Sequence, residues 1–215
     1  MWNLSEPGAT SRPEERGLSV RAFAKINLSI DVLGRRADGY HFVEMVMQQV
    51  DLWDLVRISS LPEGEGDGTR GEIRLTTDRG DLPVDSRNLA FRAAALMGKA
   101  YADMRAAEGP PPVRIHIAKR IPLAAGLAGG SADAAAVVHG LNRLWRLDLP
   151  LSELMELSAS LGADVPFCVM GQAATANDLG YQGDPMASSC AFAEGIGTSL
   201  TPLPALDAWT VLAKP

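Results

Sequence analysis

Cysteine is scarce in this 215-residue chain: Cys168 and Cys190 are the only two. They lack both the density of a disulfide scaffold and the spacing of a zinc site, and a reducing cytoplasm suits them. No apolar run approaches the roughly 18 residues that a membrane-spanning helix needs, and the first residues contain no apolar signal core. Positive charge is also in deficit, with 20 Lys and Arg against 26 Asp and Glu and a formal charge of −6. A nucleic-acid or membrane-surface protein needs clustered basic residues to neutralise phosphates, so neither partner is expected and any phosphate site must be local.

Hydrophobic residues make up 47% of the chain, enough for one large domain, or for one domain and part of a second. Residues 1–17, with Pro7, Gly8, Pro13 and mixed charge, read as a loose tail. From Val20, apolar Ala22, Ala24, Ile26, Leu28, Ile30 and Val32 alternate with Arg21, Phe23, Lys25, Asn27, Ser29 and Asp31. That period of two predicts a half-buried strand with Lys25 and Asn27 on its polar face and Ile26 and Leu28 in the core. Asp38-Gly39 is a turn dipeptide, and residues 42–50, 55–58 and 73–75 read as further strands around a Gly- and Glu-rich loop at 61–71. Ser86 can cap a helix with Leu89, Ala93, Leu96, Met97, Ala100 and Met104 on its inner face. Val113, Ile115 and Ile117 alternate in a strand, an alanine-rich helix spans 132–145, and another runs from Ser152 to a stop at Gly162.

Between the Val113 strand and the alanine-rich helix lies Pro122, Leu123, Ala124, Ala125, Gly126, Leu127, Ala128, Gly129, Gly130, Ser131 and Ala132. Small residues let consecutive backbone N–H groups converge on an anion, and the helix that follows adds the positive end of its dipole. A tight strand-to-helix turn would need the same glycines. The segment is neither a Walker loop nor G-x-G-x-x-G.

This loop resembles the second motif of the GHMP kinases, close to Pro-x-x-x-Gly-Leu-x-x-Ser. Ala24-Lys25-Ile26-Asn27-Leu28 with Arg36-Ala37-Asp38-Gly39-Tyr40-His41, and Gly162-Ala163-Asp164-Val165-Pro166-Phe167, resemble the diphosphocytidyl-methylerythritol kinases within that superfamily. The likeness covers roughly residues 20–175 and resumes at Glu194-Gly195-Ile196-Gly197. It implies an α+β fold: a GHMP kinase N-terminal domain of the ribosomal-protein-S5-domain-2-like type over 18–175, an atypical insertion at 176–192, and at 193–215 the start of a ferredoxin-like C-terminal domain. The implied activity is ATP-dependent phosphorylation of the 2-hydroxyl of a diphosphocytidyl-methylerythritol, a cytidine diphosphate derivative of the non-mevalonate isoprenoid route. Another GHMP kinase, or a non-catalytic nucleotide-binding fragment, is the alternative.

The resemblance makes Asp164 the catalytic carboxylate and Lys25 its partner, with residues 122–132, Asn88 and Lys119 toward ATP. Asn27, Tyr40 and His41 fall toward the substrate, and Ser131 toward the phosphates and Mg²⁺. Each has a plainer alternative: Asp164 a turn residue bonding its own backbone, Lys25 a solvent-facing strand lysine, Tyr40 a turn tyrosine, Asn88 a helix-start residue, Ser131 and Asp133 helix caps. His116 and His139 receive no role. The insertion could reshape the cleft, the third glycine motif that helps line the phosphate site is absent, the missing part of the C-terminal domain is expected to leave apolar surface exposed, and a homodimer is possible.

Overall fold

The computed structural model describes residues 17–35, 41–62, 64–105 and 109–213. The tail at 1–16, the Asp38-Gly39 turn and Tyr40 lie outside the described residues. Strands β1 (Gly17–Arg35) and β2 (His41–Ser60) pair antiparallel along their whole length. The other edge of β2 is shared, its C-terminal part pairing with β4 (Val113–Ala118) and its N-terminal part with β5 (Cys190–Glu194). β3 (Ile73–Thr77) joins β4 in parallel and β6 (Ser199–Leu203) joins β5 antiparallel, giving a six-stranded sheet. Among the described residues the one parallel pairing, β3 with β4, requires a crossover, and α1 (Leu89–Met104) supplies it. β2 is one strand of 20 residues where alternation suggested two. Residues 190–203, read as insertion and second-domain start, carry β5 and β6 on this same sheet.

Among the described residues α2 (Gly129–Leu144), α3 (Leu151–Ser158) and α4 (Val165–Thr175) join α1 in the helical layer. α2 is central, and every residue from Ala132 to Asn142 is buried. Its alanines and Gly140 allow close approach to the sheet: a methyl group on Gly140 would collide with Ile58 Cδ1. α4 escapes sequence periodicity because it is apolar all round, buried from Val165 to Ala173, so it has no polar face to reveal a helical period. Polar contacts fix its place. The Gln49 amide on β2, in the orientation that satisfies its partners, donates to Gly171 O (3.0 Å) and accepts from Gln172 N (3.2 Å). Gln172 Nε2 then donates to Ala132 O on α2 (2.9 Å).

Two sequence expectations are corrected. Register shifts between Phe23 and Lys25 and again between Asn27 and Ser29 break the alternation of β1. A bulge opposes two residues to one and turns the following side chains to the other face. Lys25 is consequently buried beside Ala24, while Leu28, expected in the core, is exposed together with Ile30 and Val32, as are Asn27, Ser29 and Asp31. The cap of α1 is Asn88 and not Ser86: Asn88 Oδ1 accepts from Ala90 N at 2.9 Å.

The segment after α4 forms a short 3₁₀ turn at Asn177–Leu179 and is pinned by Tyr181. Tyr181 OH accepts from Asn142 Nδ2 (2.9 Å) and donates to Leu149 O (3.4 Å), and its ring lies 5.4 Å from that of His139. Those partners sit toward the C-terminal end of α2, about 15–20 Å along the helix from Gly129 at ~1.5 Å per residue. This anchor is therefore far along the helix from the glycine loop.

Candidate active site

The bulge in β1 builds the centre of the site. It places Lys25 on the helical side of the sheet, where its Nζ lies 3.0 Å from Asp164 Oδ1 and donates to Asn27 Oδ1 at 2.9 Å. Lys25 is 5% exposed at its side chain and Asp164 36%, so the ammonium is enclosed while the carboxylate opens to solvent. Asp164 occupies the N-cap position of α4, followed closely by Pro166, yet its side chain makes no cap hydrogen bond. The carboxylate is directed to Lys25 instead of its own backbone, against the turn-residue alternative.

The backbone of the same lysine holds the glycine loop: Lys25 N donates to Leu127 O at 3.1 Å. Residues 121–130 and Lys119 line a cavity of about 220 Å³. The loop reverses by left-handed residues, Ala124 (φ 52°), Gly126 (φ 72°) and Ala128 (φ 55°). Ala128 is the N-cap residue of α2 and no side chain caps that helix, so its first N–H groups face the cavity side without a side-chain acceptor. That is the arrangement an anion needs, with the helix dipole behind it. Ser131, in the first turn, is half-buried. Neither Ser131 nor Asp133 is the cap.

Other expected site residues are placed differently. Lys119 is enclosed, its Nζ 2.5 Å from Asp54 Oδ2 and 2.6 Å from Asp133 Oδ2. Asn88 spends its amide on the start of α1, donating to Pro83 O (2.8 Å) while it caps. The neighbouring Leu89 reaches Gly130, which keeps this corner beside the loop. His41 is exposed at the start of β2, whereas Lys25 pairs with Gln49. The two are about 25 Å apart along the strand at ~3.3 Å per residue, so the structure does not bring His41 to the Lys25–Asp164 pair.

Sequence reading missed Asp54. It is fully buried in β2, and its Oδ1 accepts from Arg120 N (2.5 Å) and Ile121 N (2.8 Å) at the entry to the loop. Nothing in the Asp51-Leu52-Trp53-Asp54 run separates a buried carboxylate from a solvated one, although an aspartate in the middle of a long strand is itself unusual. Burial raises the Asp133 carboxyl to about 7, with Asp54 adding to the shift and Lys119 opposing it. Burial alone would lower Lys119, but the two carboxylates outweigh it and raise its pKa.

Comparison with known proteins agrees with this geometry. Residues 88–172 match the GHMP kinases N terminal domain. The chain is 45% identical over 199 residues to the 4-diphosphocytidyl-2-C-methyl-D-erythritol kinase of Alkaliphilus metalliredigens, covering 92% of this chain and 58% of that protein. It is 44% identical over 199 residues to the enzyme of the same name from Geobacillus kaustophilus, covering 92% and 59%. A crystal structure of 4-(cytidine 5'-diphospho)-2C-methyl-D-erythritol kinase superposes with a TM-score of 0.59 at 31% identity, over 86% of this chain and 55% of that one. The chain thus spans a little under three-fifths of the length of these two curated relatives. The motif-bearing loop, the α+β arrangement and these likenesses agree that the chain carries the N-terminal domain of the GHMP kinases.

Proposed function

We propose that this chain is the nucleotide-binding part of a kinase that transfers the γ-phosphoryl group of ATP to the 2-hydroxyl of 4-diphosphocytidyl-2-C-methyl-D-erythritol, acting in a reducing cytoplasm. The observation that carries the reading is Lys25. Its ammonium pairs with Asp164 and its backbone N–H holds the loop, so a single residue links the phosphate cradle to a carboxylate.

In the proposed reaction the free N–H groups at the start of α2 hold the phosphates, and the acceptor hydroxyl approaches the open side of Asp164. The carboxylate orients that hydroxyl and accepts its proton, while Lys25 offsets the charge gathering on the transferring group. Phosphoryl transfer of this kind rests mostly on positioning and charge neutralisation, with general-base assistance worth ~10²–10⁴-fold. Among the described residues no cluster of three or more His, Cys, Asp or Glu could hold a metal. Mg²⁺ therefore fits as an ion carried in by the phosphates, with the Ser131 hydroxyl as the protein oxygen near them, and it would neutralise phosphate charge there.

The test is ATP-dependent phosphorylation of diphosphocytidyl-methylerythritol by the purified chain, with mevalonate as competing acceptor and Asp164→Ala as control. Turnover of the cytidine substrate that vanishes in the variant supports the reading, and preference for mevalonate would defeat it. The chain's share of its relatives' length favours a second reading, in which it binds ATP but needs the remaining sequence for turnover. ATP binding without phosphorylation identifies that case.

A further inference from the structure

The loop is under backbone strain that something must hold in place. Ala124 and Ala128 both have φ near +50°, a conformation that costs an alanine about 1–2 kcal/mol. Such strain persists only where the surroundings over-determine it. Both ends of the loop meet one buried cluster. At its entry, Asp54 Oδ1 fixes the N–H groups of Arg120 and Ile121, and the Arg120 guanidinium turns outward onto the Trp53 ring, 4.4 Å from its centroid. At its exit, Asp133 stands in the first turns of α2, 4% exposed. Lys119 joins the two, donating to Asp54 Oδ2 and Asp133 Oδ2. Its Nζ also abuts Gly129: a methyl group there would sit 3.4 Å from the ammonium and 3.1 Å from Ile121 Cγ2.

Building on the reading of the loop as the nucleotide site, we propose that Asp54, Lys119 and Asp133 form a brace that keeps the loop in its strained, phosphate-ready shape. Asp133 and Asp54 are thereby positioning residues, and Lys119, which joins them at the cavity wall, serves the nucleotide through the loop. The ammonium has two carboxylates in hydrogen-bond range and a side chain only 3% exposed, so little of it is free to reach a ligand. Removing one carboxylate leaves the ammonium half-satisfied in a buried place. A lost hydrogen bond to a charged group weakens what depends on it by tenfold or more, on the order of 1.5–3 kcal/mol.

The test combines ATP affinity with amide hydrogen exchange on the purified chain. Asp133→Ala is expected to weaken ATP binding by about tenfold or more and to speed exchange of the amides of 123–130 by a comparable factor. Asp133→Asn, whose side-chain oxygen can still accept from Lys119, is expected to recover most of both. Tyr181→Ala, which loosens the opposite end of α2, should leave affinity and loop exchange as in the parent. Unchanged loop exchange in Asp133→Ala, or acceleration spread equally through α3, overturns the brace. So does a Lys119→Met variant that loses ATP while Asp133→Ala keeps it, since Lys119 would then touch the nucleotide directly. If the parent chain binds no ATP, the functional reading fails, and loop exchange still decides the brace.

Discussion

Lys25 Nζ and Asp164 Oδ1 stand 3.0 Å apart, one residue delivered by a strand bulge and the other by the N-cap of a buried helix. Because Asp164 is partly open and caps nothing through its side chain, its loss should fall on chemistry more than on folding. Asp164→Asn is expected to lower phosphoryl transfer by ~10²–10⁴-fold while moving the unfolding midpoint little. ATP affinity should stay within a few-fold of the parent. Steady-state kinetics, nucleotide titration and a thermal melt on the same preparation check all three, and a collapse of the melt would place Asp164 in the scaffold.

Ala128 offers a reversed glycine test. An alanine-to-glycine change inside a helix ordinarily destabilises, but Ala128 is the N-cap, where glycine is preferred to alanine, and at φ 55° glycine also relieves left-handed strain. Ala128→Gly should leave stability unchanged or raise it by up to ~1 kcal/mol, the difference between the relief and glycine's greater chain entropy. Chemical denaturation measures it, and a clear loss would show that the loop is not strained at this residue.

The sequence was readable where one face of an element is polar. Val113, Ile115 and Ile117 alternate and are buried as expected, and Ala93 and Met97 of α1 are buried where its apolar spacing puts them. It misled where the backbone leaves regular geometry. No composition signals the bulge at Phe23 and Lys25, so the lysine expected on the polar face is buried on the other. It was silent about α4, which lacks a polar face, and about Asp54, whose partners are backbone groups more than 60 positions away. The site residues Lys25 and Asp164 came from resemblance to a family and not from periodicity, because contact between distant segments is a property of packing.

Gly140 tests the closeness of α2 to the sheet. In an exposed helix Gly→Ala stabilises by roughly 0.5–1 kcal/mol. Here the added methyl meets the Ile58 side chain in a packed interior. Gly140→Ala is expected to destabilise by ~1–3 kcal/mol, and Gly140→Ala with Ile58→Val should recover part of that loss. Urea unfolding of the single and double variants distinguishes overpacking, which the second change relieves, from a helix-propensity effect, which it does not.

His139 links the Tyr181 anchor to acid stability. The ring is buried, its Nε2 lies 2.8 Å from Val169 O, and burial depresses its pKa from 6.5 to about 4 despite that carbonyl. The folded protein therefore keeps His139 neutral where the unfolded chain takes up a proton. Above pH 6.5 both states are neutral and the histidine costs nothing. As pH falls from 6.5 toward 4, the unfolded state gains protons first and stability declines, by about 3 kcal/mol in total at ~1.4 kcal/mol per pKa unit. His139→Gln would remove this titration, so its stability relative to the parent should rise across that same interval. Urea midpoints taken at several pH values from 7 to 4 read the slope, and parallel curves for parent and variant would mean that His139 does not carry it.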